Sequence, residues 1–197
     1  MNELLAVIAA GALIPAISLI VKKLIVDRIF EGRESEISIR GKDGKEFKLL
    51  LDSGASSEEL RDIFESEIEF EAEVKKNLER FIRSHEKYDL KLSNGKQVDF
   101  LLFSNGRRIG IEAKSNADRF KAKWISSYFK ESSGIDELIM ILDSKIPENF
   151  LNEVKTYDKN MKVKFISSPR GKELSKSIGN VLETELGLNK SLHRTSR

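Results

Sequence analysis

The clearest pattern in the chain lies between Lys96 and Lys114, where apolar residues recur at every second position on either side of Asn105-Gly106. That dipeptide suits a two-residue type I′ hairpin, so antiparallel strands are predicted over 96–103 and 107–114. A turn this tight pairs Ser104 with Arg107 and, counting outward, sets Asp99 opposite Glu112. Lys114 falls on the same face as Glu112. Val98, Phe100, Leu102, Ile109, Ile111 and Ala113 form an apolar wall on the other.

The same alternation appears over Glu36–Asp52. Closing through Lys42-Asp43-Gly44, a three-residue loop ending in a left-handed glycine, puts Ile37, Ile39, Phe47, Leu49 and Leu51 on one side. A lone hairpin is marginal, so this one is expected to pack on a neighbour or add to a sheet. From Ser56 or Ser57 the period changes to that of a helix running to about Ser84, with a break near Ser66-Glu67 as one option. Phe70, Val74, Leu78, Phe81 and Ile82 make its core stripe; Glu71 borders that stripe and Glu73 points away.

A strand over 88–93 turns at Asn94-Gly95 into the central hairpin. Ser115 or Asn116 caps a further helix, packed through Phe120, Trp124, Ile125, Tyr128 and Phe129. Leu138–Leu142 is continuously apolar, as a strand buried on both faces would be. Pro147 suits the first turn of a helix to about Lys159. Met161–Ser167 reads as a strand and Arg170–Leu186 as an amphipathic helix. No internal repeat is visible.

Leu4–Val21 stands apart: eighteen residues without a charge, apolar all round. As a helix it spans roughly 27 Å, close to the thickness of a bilayer core. Lys22, Lys23 and Arg28 follow it, which places the N-terminus outside and the remainder in the cytoplasm. A cleaved signal peptide fits worse, because the bases lie after the apolar core, and a buried core helix is the ordinary alternative. A single-pass anchor at the cell membrane is the expectation, and Pro15 does not forbid it.

Composition narrows the chemistry. There is no cysteine, so disulfides and zinc–thiolate sites are excluded, and His85 and His193 are far apart in polar surroundings. A metal site must use oxygen ligands and a hard cation, Mg²⁺ or Mn²⁺. The net charge of +2 hides segregation: residues 56–87 hold ten acids and six bases, residues 104–130 seven bases and two acids. Arg107, Arg108, Arg119, Lys121, Lys123 and Lys130 are the candidates for holding a polyanionic backbone.

Glu-x-Lys occurs four times, at 46–48, 73–75, 112–114 and 153–155. The second and fourth fall in helical patterns, where i and i+2 do not face each other. The first lies on a strand opposite Ser38 and Arg40. Only Glu112-Ala113-Lys114 has an acid, Asp99, across from it. Two close carboxylates repel unless a cation lies between them or one is protonated. Mg²⁺ held by Asp99, Glu112 and a backbone carbonyl resolves that conflict, with Lys114 placed to serve a water or a developing charge. A solvated hairpin face is the ordinary alternative.

The order acidic helix, strand, Val-Asp strand, Glu-x-Lys strand, basic helix, buried strand resembles the PD-(D/E)xK nuclease superfamily over about residues 57–167. The resemblance implies an α/β, restriction-endonuclease-like αβββαβ core with a mixed sheet. It also implies that Asp99 and Glu112 bind Mg²⁺ and that Lys114 serves the attacking water. A helix glutamate often completes such a site, and Glu71 is the better match, with Glu73 second. Val98 replaces the proline common in the family. Trp124-Ile125-Ser126-Ser127-Tyr128 lacks the glutamine of the exonuclease-like branch.

The expected organisation is a membrane segment at 1–30, a hairpin adaptor or spacer at 34–54, a nuclease-like domain at 56–187 and a basic tail at 188–197. The expected activity is hydrolysis of nucleic-acid phosphodiesters, DNA first, by a membrane-held nuclease that could be a defence effector. A second copy or protein partner would dock through 36–52. The rival expectation is an inactive module of the same fold that binds nucleic acid or protein.

Overall fold

A computed structural model describes residues 6–8, 35–41, 46–51, 57–95, 98–129, 134–157 and 162–188. Within them lie strands β1 (Ala6–Ile8), β2 (Ser35–Gly41), β3 (Glu46–Leu51), β4 (Lys91–Asn94), β5 (Phe100–Ser104), β6 (Arg107–Lys114), β7 (Glu137–Leu142) and β8 (Val163–Ser167). The α-helices described are α1 (Ser57–Ser84), α2 (Ile125–Tyr128), α3 (Glu148–Tyr157) and α4 (Lys172–Glu185). The fold is α/β.

Strands β4 to β8 form one mixed sheet in sequence order. β4, β5 and β6 run antiparallel, whereas β6, β7 and β8 are parallel. The β5–β6 turn is as predicted: Ser104 pairs with Arg107, and Asn105 and Gly106 take φ of 50° and 79°. Those positive angles are what a type I′ turn requires of both central residues. On one face α1 and α4 cover the sheet. Phe70, Val74, Leu78, Leu174, Ile178 and Leu182 pack there against Phe100, Leu102, Ile109, Ile111, Ile139 and Ile141.

The other face is equally covered. Phe120, Trp124, Ile125 and Tyr128, with Phe150 and Val154 of α3, pack on Leu138, Met140 and Val163. β7 is therefore buried on both sides, as its unbroken apolar run predicts. Val98 belongs to this second core, opposite the wall expected for it. The reason is local. Residues 98 and 99 form a bend before β5 instead of extending it, and the strict alternation of a strand does not apply to them.

The helix predicted after Ser115 is broken. Asn116 caps as expected, its side chain accepting from the Asp118 N–H, but a 3₁₀ turn at Ala117–Arg119 gives way to extended backbone at Phe120 and Lys121. A second 3₁₀ turn, Ala122–Trp124, then leads into α2. Phe120 and Ala122 are both buried. One straight helix would turn residues two apart to opposite sides, so the extended break is what buries both. α1, by contrast, runs unbroken through Ser66-Glu67.

Ahead of α1, β1, β2 and β3 form a small sheet in that order. The β2–β3 register sets Ile39 opposite Phe47 and Ile37 opposite Leu49, the pairing that a three-residue loop predicts. β3 lies against the turn at Ala117–Arg119. Of the predicted membrane segment 4–21, only Ala6–Ile8 is described, as a strand parallel to β2; the remainder, like Lys130 and the tail 189–197, lies outside the described residues. No helix among the described residues is long and apolar enough to cross a membrane.

Candidate active site

The carboxyl end of β6 carries the charged cluster. Phe100 pairs with Ile111, so Asp99, one residue before β5, stands where the register meets Glu112. With β5 not yet begun at that level, the Asp99 side chain takes over the ladder: its Oδ2 accepts the Ala113 N–H at 2.8 Å. Lys114 Nζ lies 2.7 Å from Glu112 Oε1, 3.9 Å from Asp99 Oδ2 and 3.2 Å from the Ala113 carbonyl oxygen. Asp99, Glu112 and Lys114 are only 3%, 5% and 1% exposed, so this face is buried and not the solvated one of the ordinary alternative.

A fourth member comes from α1. Glu67, also buried, accepts from the Ser115 backbone N–H at 3.1 Å and from Ser115 Oγ at 2.5 Å. Burial pushes its carboxyl above the ordinary value, although nearby Lys114 and the Ser115 hydrogen bonds pull the other way. Burial also disfavours the Lys114 ammonium, but Glu112, Asp99 and Glu67 together outweigh it and hold that pKa above the usual lysine range. At neutral pH Lys114 is a cation. It holds its proton more firmly than a free lysine and is not a base in this arrangement.

Glu71, the helix acid favoured on sequence, is half-buried on the same helix. Glu73 is turned to α4, its Oε1 accepting the Gly171 N–H at 2.6 Å. A signal for Glu67 exists in the sequence: 67, 70, 74, 78 and 81 follow one helical stripe, and an acid heads that otherwise apolar row. The wider frame is less readable. Arg170 donates to Asp143 at 2.6 Å and, through Nη2, to the Ser66 carbonyl and hydroxyl. It thereby ties α1, at the residue before Glu67, to the loop leaving β7.

The basic candidates divide. Arg107 pairs with Glu137 at 2.6 Å and donates to the Glu185 carbonyl, and the Arg108 guanidinium lies over the Phe103 ring. Both sit at the start of β6, roughly 20–23 Å along the strand from Lys114. Arg119, Lys121 and Lys123 instead follow directly from the strand's carboxyl end, with Lys123 exposed.

The donor set has the chemistry of a hard-cation site. Oxygens of Glu112, Asp99 and the Ala113 carbonyl converge on one positive centre, the Lys114 ammonium, and carboxylate and carbonyl oxygens are what Mg²⁺ takes. Among the described residues no group of three Asp, Glu or His side chains is arranged to hold a metal ion. A divalent ion here would need the carbonyl or water to complete its shell. Comparison with family models, curated proteins and solved structures finds no match to this chain.

Proposed function

We propose that the chain is a divalent-metal-dependent nuclease that hydrolyses nucleic-acid phosphodiesters, DNA in the first instance, on a PD-(D/E)xK-type core. The observation that carries this reading is the buried convergence of Asp99, Glu112 and Lys114 at the end of β6, with Glu67 beside it. Burying so many ionisable groups is costly, and strongly perturbed groups cluster at functional sites. Asp99 and Glu112 would hold Mg²⁺ or Mn²⁺, and the bound ion would supply an acidified water and positive charge at the phosphoryl oxygens.

The chain's own groups have separable tasks. Water adds to phosphorus, the bond to the leaving sugar oxygen breaks, and negative charge grows on the phosphoryl oxygens. Lys114, protonated, stabilises that charge where little solvent screens it. Glu67 fixes Ser115 and thereby the turn just beyond Lys114. Arg119, Lys121 and Lys123 would meet the backbone of the substrate. Attachment to the membrane through residues 4–21 is part of the proposal, supported by that apolar run and the bases after it, as is docking of a partner through 36–52.

The test is cleavage of supercoiled plasmid, linear duplex and single strands with Mg²⁺ or Mn²⁺. Asp99→Asn should lower the rate by at least about a hundredfold, the scale of losing one preorganised electrostatic partner. Undiminished cleavage by that variant would sink the assignment. A binding module without hydrolysis is the second reading. The near-complete burial of the four groups and the pairing of Lys114 with Glu112 favour it, and an inactive wild type that still binds strands would establish it.

A further inference from the structure

We propose that the groove between α1 and α4 is a second polyanion site, one that holds the sugar–phosphate backbone of a nucleic-acid strand running away from the buried carboxylates. The groove is a cavity of about 550 Å³ lined by Lys76 and Arg80 of α1 and Lys172 and Lys176 of α4. Each pair is four residues apart, so its two bases share a helix face, and the two faces meet across the groove. Glu73 is the one acid among the described lining residues, and its carboxylate is engaged by the Gly171 N–H.

Gathering four cations opposes folding, because like charges at helical spacing repel. An anion relieves that repulsion. The groove is also ordered for the purpose. Arg80 Nη1 donates to Asn77 Oδ1 at 2.9 Å and to Ser175 Oγ at 3.3 Å, which holds the guanidinium between the two helices. Asn77 is itself 6% exposed and so serves as a fixed floor. A planar guanidinium braced in this way suits phosphate better than a free lysine does.

The position indicates a polymer. Gly171 closes one end of the groove, and Arg170 before it bonds to Ser66, the neighbour of Glu67. From Ser66 to Asn77 the helix advances roughly 16 Å. At about 3.4 Å per phosphate, four or five nucleotides cover that distance. The identity of the polymer rests on the phosphodiester reading above; the charge and geometry of the groove do not.

Binding is measured on the full chain in EDTA, so that no result depends on cleavage. The probes are labelled DNA and RNA single strands of roughly 16 nucleotides, with inorganic pyrophosphate as a competitor. Affinity should fall steeply with salt, and the K76A/K172A/K176A variant should lose about 2 units of the log–log salt slope, about 0.7 per phosphate contact. A preference for DNA or RNA identifies the source of the strand. Equal slopes in variant and wild type overturn the proposal, as does a wild type that binds neither strand. Failure of the nuclease reading has a different signature: the slope difference persists while no metal supports cleavage.

Discussion

Lys114 Nζ lies 2.7 Å from Glu112 Oε1, two residues away on one strand, and both side chains are almost wholly buried. Their union with Asp99 and Glu67 makes the ammonium structural as well as chemical. Removing one partner of a buried ion pair leaves the other without compensation, at a cost of about 3–5 kcal/mol. Lys114→Met should therefore lower the urea midpoint sharply instead of yielding an intact, inactive protein. Millimolar Mn²⁺ should restore more stability to this variant than to the wild type, because a cation then replaces the lost one. A variant as stable as wild type, or indifferent to Mn²⁺, contradicts the picture of carboxylates gathered for a cation.

Arg170 makes a second prediction about the frame around that cluster. Its guanidinium joins Asp143 to Ser66, lies 3.5 Å from Glu69 and stands over the Phe70 ring. Hydrogen bonds to charged groups contribute about 1.5–3 kcal/mol, so Arg170→Ala should lose about that much in urea unfolding. Arg170→Lys keeps the charge without the planar fork and should recover less than half. Metal-dependent cleavage should fall in step with the displacement of α1 beside Glu67. Full activity in Arg170→Ala would show that the frame does not position the site.

Two glycines test the backbone. Gly106 has φ of 79°, and an added Cβ would meet nothing within 4 Å, so Gly106→Ala isolates backbone strain from crowding. The left-handed region costs a non-glycine residue roughly 1–2 kcal/mol, and destabilisation of that size is expected. Gly179 lies within α4 and also faces open space. There the helical conformation suits alanine, and Gly179→Ala should stabilise by about 0.5–1 kcal/mol. Opposite signs in chemical denaturation are the diagnostic outcome.

The features legible in the amino-acid pattern are local or strictly periodic. Asn105-Gly106 determines the β5–β6 register, and with it the meeting of Asp99 and Glu112, because turn chemistry leaves one solution. The stripe through Phe70, Val74 and Leu78 and the run Leu138–Leu142 likewise carry their burial in their spacing. Features set by distant segments are not legible in this way. Val98 changes faces because residues 98 and 99 bend before β5 starts. The acidic face is buried because Phe120, Trp124 and α3 cover that side of the sheet. Glu67 is not legible for a related reason, since a stripe identifies a face but not which of its acids reaches around the end of a strand.

Glu67 gives the last prediction, and its sign follows from burial. Its carboxyl titrates above the ordinary 4.5 in the folded state, chiefly because burial disfavours its charged form. The folded protein therefore binds this proton more tightly than the unfolded chain does. The resulting stabilisation is complete below the unfolded value and is lost as pH rises through the raised one. Glu67→Gln carries no such proton, keeps an oxygen to accept from Ser115, and has no charge to desolvate. Its stability relative to wild type should thus improve as pH increases from about 4 towards neutrality, then level off above the folded pKa. Urea unfolding of both proteins across that range measures the difference directly. A gap that narrows with rising pH would mean that Lys114 and Ser115, which pull the Glu67 carboxyl down, prevail over burial.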